Sequence, residues 1–181
     1  MKTIYPIAFI MLLLIGSLTK LKAQEKRAFM LGINPSISVE SYYDQGELDI
    51  NIFPAVMQLT IDKRIDLRFI TLFNIGIRND KSGFSQMGIE GALPIFLKAK
   101  EELSNHSSGF YAAPVISLSK SKIDDNVHFG LWAEPGYQLG INENFSMILG
   151  VQAGATYISY NSGPASWNSH LGLKVIIGWW M

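Results

Sequence analysis

The sequence predicts an all-β fold: an eight-stranded antiparallel up-and-down transmembrane β-barrel behind a cleaved signal peptide. Three observations predict it. The N-terminus carries an apolar segment too short to cross a bilayer as a helix. From Arg27 onward, apolar residues fall on every second position with no helical period. The polar face so defined is built mainly of Gly, Ser, Asn, Gln and Thr, with scattered charges.

The chain divides into residues 1–23, a signal peptide, and residues 24–181, the barrel. A basic start at Lys2, an apolar run from Ile7 to Gly16 and a polar tail ending at Ala23 give the three regions of a secretory signal, with cleavage before Gln24. Pro6 disturbs the start of any helix there. The competing reading is an uncleaved anchor, which the basic Lys20 and Lys22 and the bulky Leu21 favour.

Each expected strand is justified by its alternation. In the first, Phe29, Leu31, Ile33, Ile37 and Val39 oppose Met30, Gly32, Asn34, Ser36 and Ser38. The second, residues 48–61, changes phase: Ile50 and Ile52 share one parity, Ala55, Met57, Leu59 and Ile61 the other. A bulge at Phe53 and Pro54 restores a single apolar face. The third is the clearest, with Ile65, Leu67, Phe69, Thr71, Phe73, Ile75 and Ile77 opposing Asp66, Arg68, Ile70, Leu72, Asn74, Gly76 and Arg78. Weaker strands occupy 84–97 and 109–121. In the sixth, Val127, Phe129, Leu131, Ala133, Pro135, Tyr137 and Leu139 point away from His128, Gly130, Trp132, Glu134, Gly136, Gln138 and Gly140. The seventh sets Met147, Leu149, Val151, Ala153, Ala155 and Tyr157 against Gly150, Gln152, Gly154 and Thr156. The eighth sets Leu171, Leu173, Val175, Ile177 and Trp179 against Gly172, Lys174 and Gly178. Proline cannot donate to a ladder, so Pro35, Pro54, Pro94, Pro114 and Pro135 are expected at bulges or near a rim.

The connections alternate. Those after the second, fourth and sixth strands are 62–64, 99–108 and 142–144; those after the odd strands are 41–47, 79–83, 120–126 and 161–169. Two of the even set are tight, and the odd set is longer and rich in Gly, Ser, Asn and Tyr, which predicts short periplasmic turns and longer outer loops. The 99–108 connection departs from that rule.

Composition excludes several classes. Fifteen cations balance fifteen acids, and Lys2, Lys20 and Lys22 leave with the signal, so the body is mildly acidic with no basic stretch suited to nucleic acid. The absence of cysteine excludes disulfides, thiolate metal sites and a lipid-modified N-terminal cysteine. A soluble barrel or periplasmic sandwich would carry Lys, Glu and Asp on its polar face; the small neutral residues here suit a crowded, hydrated interior instead. Tyr137, Tyr157 and Trp179 fall towards strand ends, where an interfacial aromatic belt belongs.

Over residues 27–181 the chain resembles small eight-stranded outer-membrane barrels of the OmpA/OmpX type, found in Gram-negative bacteria. The resemblance rests on the signal ending at Ala23, the turn phrase GINENF at 140–145 and the aromatic terminal strand VIIGWWM at 175–181. It implies residence in the cell outer membrane, contact with outer-membrane lipid and recognition by the barrel-assembly machinery. Such barrels usually end on an aromatic residue, whereas this chain ends on Met181 after Trp180.

Charges inside a narrow barrel must be paired or hydrated. Glu90, Glu134, Gln152 and Lys174 fall near mid-height, and Lys174 is expected to pair with Glu134 or Glu90 and, with Trp132, to close the interior. The alternative is that these residues only solvate a wet interior. His128 and His170 each begin a strand at the expected outer rim, near Asp124, Asp125, Ser166 and Ser169. A His, Ser and acid there could run acyl transfer on lipid A or phospholipid, but no motif supports the spacing, and solvated rim residues explain them equally. His106 falls in a turn, and three scattered histidines make no metal site. Tyr42, Tyr43 and Trp167 are belt residues or partner contacts. The sequence thus predicts a structural or surface-interaction barrel with a largely filled lumen, no enzyme activity, no cofactor and no metal. The rivals are a lipid-modifying barrel enzyme and a narrow channel.

Overall fold

The computed structural model describes residues 29–40, 47–77, 79, 82–100, 106–122, 125–161 and 163–181, excluding the side chains of Val39 and Glu40. The signal segment, Arg78, Asp124, Tyr42 and Tyr43 lie outside them. No helix among the described residues is long and apolar enough to cross a membrane.

Among the described residues eleven strands form one antiparallel sheet: β1 (Phe29–Ile33), β2 (Ile37–Glu40), β3 (Leu48–Asn51), β4 (Ala55–Asp62), β5 (Ile65–Ile77), β6 (Gly83–Ala92), β7 (Ile95–Phe96), β8 (Gly109–Ser121), β9 (Asn126–Gly140), β10 (Phe145–Tyr160) and β11 (Ser166–Trp180). The expected eight runs are present, but three are divided by proline: β1 from β2 at Pro35, β3 from β4 at Pro54 and β6 from β7 at Pro94. Each run pairs with its sequence neighbours, and β1 and β2 also pair with β11, as at Leu31↔Trp179 and Leu171↔Val39. The pairings therefore return to their start in a ring compatible with a β-barrel.

The breaks are satisfied locally. The first two lie side by side, with Asn34 N donating to Pro54 O at 2.8 Å and Asn51 N to Ser36 O at 3.1 Å. At the phase change between β3 and β4, the Thr71 hydroxyl accepts from Ala55 N (3.0 Å) and donates to Phe53 O (2.7 Å). The Asn51 amide meanwhile donates to Thr71 O and accepts from Phe73 N. The extra residues thus leave the ladder without orphaning its polar groups. Pro114 interrupts no strand, because its O accepts from Leu93 N at the Pro94 break, and its nitrogen faces the same gap. Pro135 lies where the β9–β10 register skips Glu134 and Pro135.

Alternation then sorts the side chains. Asp66, Arg68, Ile70 and Asn74 of β5 are buried inside the ring while Phe69 and Ile77 are exposed outside it. Across the break, Asp49 and Asn51 are followed inward by Val56, Gln58 and Thr60, so the bulge does restore one face. Among the described residues twenty-five buried side chains are polar or charged and twelve are hydrophobic, the reverse of a soluble core. Outside, Leu31, Ile89, Ile116, Leu131, Val151 and Leu171 are among many exposed large apolar residues. Aromatic pairs sit outward near both ends: Phe110 on Tyr137 (4.7 Å between ring centroids) and Phe145 on Trp179 (6.4 Å) at one, Tyr157 on Trp167 (5.2 Å) at the other.

Candidate functional site

The interior is crossed by one polar network whose centre is Glu134 of β9. Its Oε1 accepts from Arg68 Nη1 of β5 (2.7 Å) and from the Tyr111 hydroxyl of β8 (2.6 Å), and its Oε2 accepts from Gln152 Nε2 of β10 (2.9 Å). Gln152 Nε2 also reaches Glu90 Oε1 at 3.1 Å. Lys174 Nζ of β11 donates to that same oxygen at 2.5 Å and stands 3.9 Å from Glu134 Oε2. All four members of these ion pairs are essentially inaccessible, so Coulomb attraction acts at low dielectric and the pairing offsets a large desolvation cost.

Room for this centre comes from two facing glycines. Gly136 and Gly150 are register partners, and a Cβ on Gly136 would collide with the Tyr111 phenol ring, while one on Gly150 would press on Tyr111 and Glu134. Towards the end bearing the short turns the network continues. Arg68 Nε donates to Gln58 Oε1 (2.8 Å), Gln58 Nε2 to Asp66 Oδ2 (2.6 Å) and Ser107 Oγ to Asp66 Oδ1 (3.2 Å). Gln138 ties in Ser107 O at 2.5 Å, and His106 stacks beneath on Trp180, whose indole N–H donates to Ser146. Three carboxylates (Asp66, Glu90, Glu134) thus face two cations (Arg68, Lys174) in one connected array.

Towards the opposite end, Trp132 and His170 stack face to face at 3.8 Å and 11°. Above them Gln86 Nε2 meets His128 Nδ1 (2.9 Å), and His128 Nε2 meets Asn126 Oδ1 (2.6 Å). A polar cavity of about 40 Å³ lies among these groups, with Lys174, Glu90 and Gln152 at its floor; it has room for only a few waters. At the rim beyond, the exposed Asp125 accepts from Asn161 Nδ2 (2.8 Å) and sits 3.5 Å from Lys120 Nζ. That hydrogen bond, and then the lysine, hold its carboxyl below the usual carboxylate range.

Glu90, Glu134, Gln152 and Lys174, singled out in the sequence, therefore meet, and Trp132 lies next to them. Arg68, Gln58, Asp66 and Tyr111 belong to the same array but were not singled out. The structure changes the reading of all three histidines. His170 is not at the rim: β11 begins at Ser166, so the ring lies several residues inside, buried against Trp132. Ser169 points outward while His170 points inward, so the two do not share a site. His128 is likewise buried. His106, read as an uninformative turn residue, is buried under Trp180. Among the described residues no group of three or more His, Asp or Glu is arranged to hold a metal.

Comparison of the chain with protein-family models, curated proteins and solved structures finds no match. What it does is therefore read from its own chemistry.

Proposed function

We propose that the protein is an integral β-barrel of a Gram-negative outer membrane, exported by residues 1–23, with a structural or surface-interaction role and a filled lumen. The observation that carries this reading is the inverted distribution: polar and charged side chains inside, large apolar ones outside. Water would penalise so continuous an apolar exterior, whereas lipid rewards it. Lipid also requires every backbone polar group to be paired within the protein, which a ring of ladders without an edge supplies. Outward aromatic pairs near both ends suit the two interfaces.

The polar array from Asp66 to Lys174 argues against a diffusion pore, since it links strands on opposite sides of the ring and is closed to solvent. Outer-membrane lipid and the barrel-assembly machinery are the partners this reading implies. The test compares heated and unheated membrane-fraction protein on a denaturing gel. A folded small barrel resists unheated detergent and shifts its mobility on heating; no shift, with the protein soluble in the periplasm, overturns the proposal.

A further inference from the structure

The turn between β4 and β5 and the segment after β7 lie side by side at the end of the ring that carries the short turns. Phe96 N donates to Arg64 O (2.8 Å) and Lys100 N to Lys63 O (2.7 Å). These two backbone bonds bring four cations together: Lys63, Arg64 and Lys98, which are exposed, and Lys100, which is half-buried. Among the described residues none of the four makes an ion pair. The one described acid beside them, Asp62, accepts from Lys63 N at 2.7 Å. Glu101 and Glu102 follow in the sequence, outside the described residues.

The cations adjoin the apolar exterior directly. Leu97, between them, is 71% exposed and its N donates to the O of Phe110, itself 64% exposed. Ile95 continues the strip. Four cations bordering a greasy wall match a molecule with a phosphate at one end and acyl chains at the other. At the opposite end of the ring the exposed Lys120 is paired with Asp125, and Lys122 Nζ lies over the Phe84 ring at 5.4 Å.

Building on the barrel reading, we infer that Lys63, Arg64, Lys98 and Lys100 form a binding surface for the headgroups of anionic phospholipid. It fixes which leaflet that end of the barrel meets. Each cation near an anionic surface contributes an attraction worth roughly a fivefold preference, screened by salt.

The chain has no cysteine, so a single dye can be placed by Leu97→Cys. The full mature chain is folded into phosphatidylcholine vesicles containing either brominated phosphatidylglycerol or brominated phosphatidylcholine, and quenching is compared. Stronger quenching by the anionic lipid is expected. It should fade at high salt, fall in K98Q/K100Q and vanish in K63Q/R64Q/K98Q/K100Q, while a dye at Trp167→Cys shows no preference. Equal quenching by both lipids, an unchanged preference in the fourfold variant, or its abolition by inorganic phosphate at matched ionic strength overturns the inference alone. The heat-shift gel on the same vesicles separates the two claims, because a chain that enters neither vesicle overturns the barrel reading and the inference with it.

Discussion

Lys174 Nζ and Glu90 Oε1 meet at 2.5 Å from β11 and β6, strands that are not neighbours in the ring. The bond is therefore a strut across the interior and not a rung of the sheet. Removing the cation by Lys174→Met leaves a buried carboxylate whose remaining donor is Gln152, and is expected to cost about 3–5 kcal/mol. Glu90→Gln should cost less, because Lys174 still has Glu134 at 3.9 Å. The double variant Glu90→Leu/Lys174→Met should recover most of the loss. Urea unfolding in vesicles measures all three.

Arg68 uses two edges of its guanidinium, Nε on Gln58 and Nη1 on Glu134. A lysine has one donor head and cannot hold both, so Arg68→Lys should behave as a disruptive change, costing on the order of 2 kcal/mol. A double-mutant cycle with Glu134→Gln should return a coupling energy well above zero. A coupling near zero would mean that the pair is incidental.

Thr71 faces outward yet bridges the bulge at Phe53. Thr71→Val keeps the shape and removes the hydroxyl that serves both Ala55 N and Phe53 O. Because Ala55 N also donates to Phe53 O at 3.0 Å, the two groups keep each other as partners and a loss of about 0.5–1.5 kcal/mol is expected. Thr71→Ser should be near wild type in the same unfolding assay.

Gly136→Ala places a methyl against the Tyr111 ring and within 2.7 Å of Leu149 O. Neither can retreat far, since Tyr111 is tied to Glu134 and Leu149 O belongs to the ladder. A destabilisation of about 1–3 kcal/mol is expected. Gly163→Ala, in the 161–165 connection, would meet only the Tyr160 Cβ at an ordinary 3.8 Å and should be neutral.

Asp125 offers a check outside the strands. Its carboxyl is held low first by Asn161 and then by Lys120. A lowered value favours the carboxylate in the folded chain; that advantage is present above the ordinary carboxylate pKa and is lost as pH falls through the lowered one. Asn161→Ala should move the titration upward, seen by carbon NMR of the side-chain carboxyl. No movement would mean that the hydrogen bond is absent in solution.

Much of this was legible in the sequence, because a period of two leaves a residue only two faces to choose from. The displaced parity between Ile52 and Ala55 announced the break at Phe53 and Pro54. Glu90, Glu134, Gln152 and Lys174 could be placed at one height because the ladders that join β6 and β8 to β11 run without register shifts. Arg68 could be assigned a face but not a partner. Which residue it meets across the ring depends on stagger, and stagger is summed from registers and bulges such as those at Thr60 and Asn74. His170 was misplaced for a related reason: polar residues in 161–169 read as loop, although Ser166, Trp167, Asn168 and Ser169 pair with β10. The burial of His106 left one faint trace, Gly140, whose missing side chain makes way for the imidazole.

The three proline breaks have a further consequence. They all fall between β1 and β7, while β8 to β11 run unbroken for 13 to 16 residues each. The wall is therefore made of four stiff staves and a jointed panel. Amide exchange should be slowest in the staves and fastest around Asn34, Phe53 and Leu93. Any breathing of the protein would bend along that panel and leave Glu134, Gln152 and Lys174, all carried by the staves, in place relative to one another.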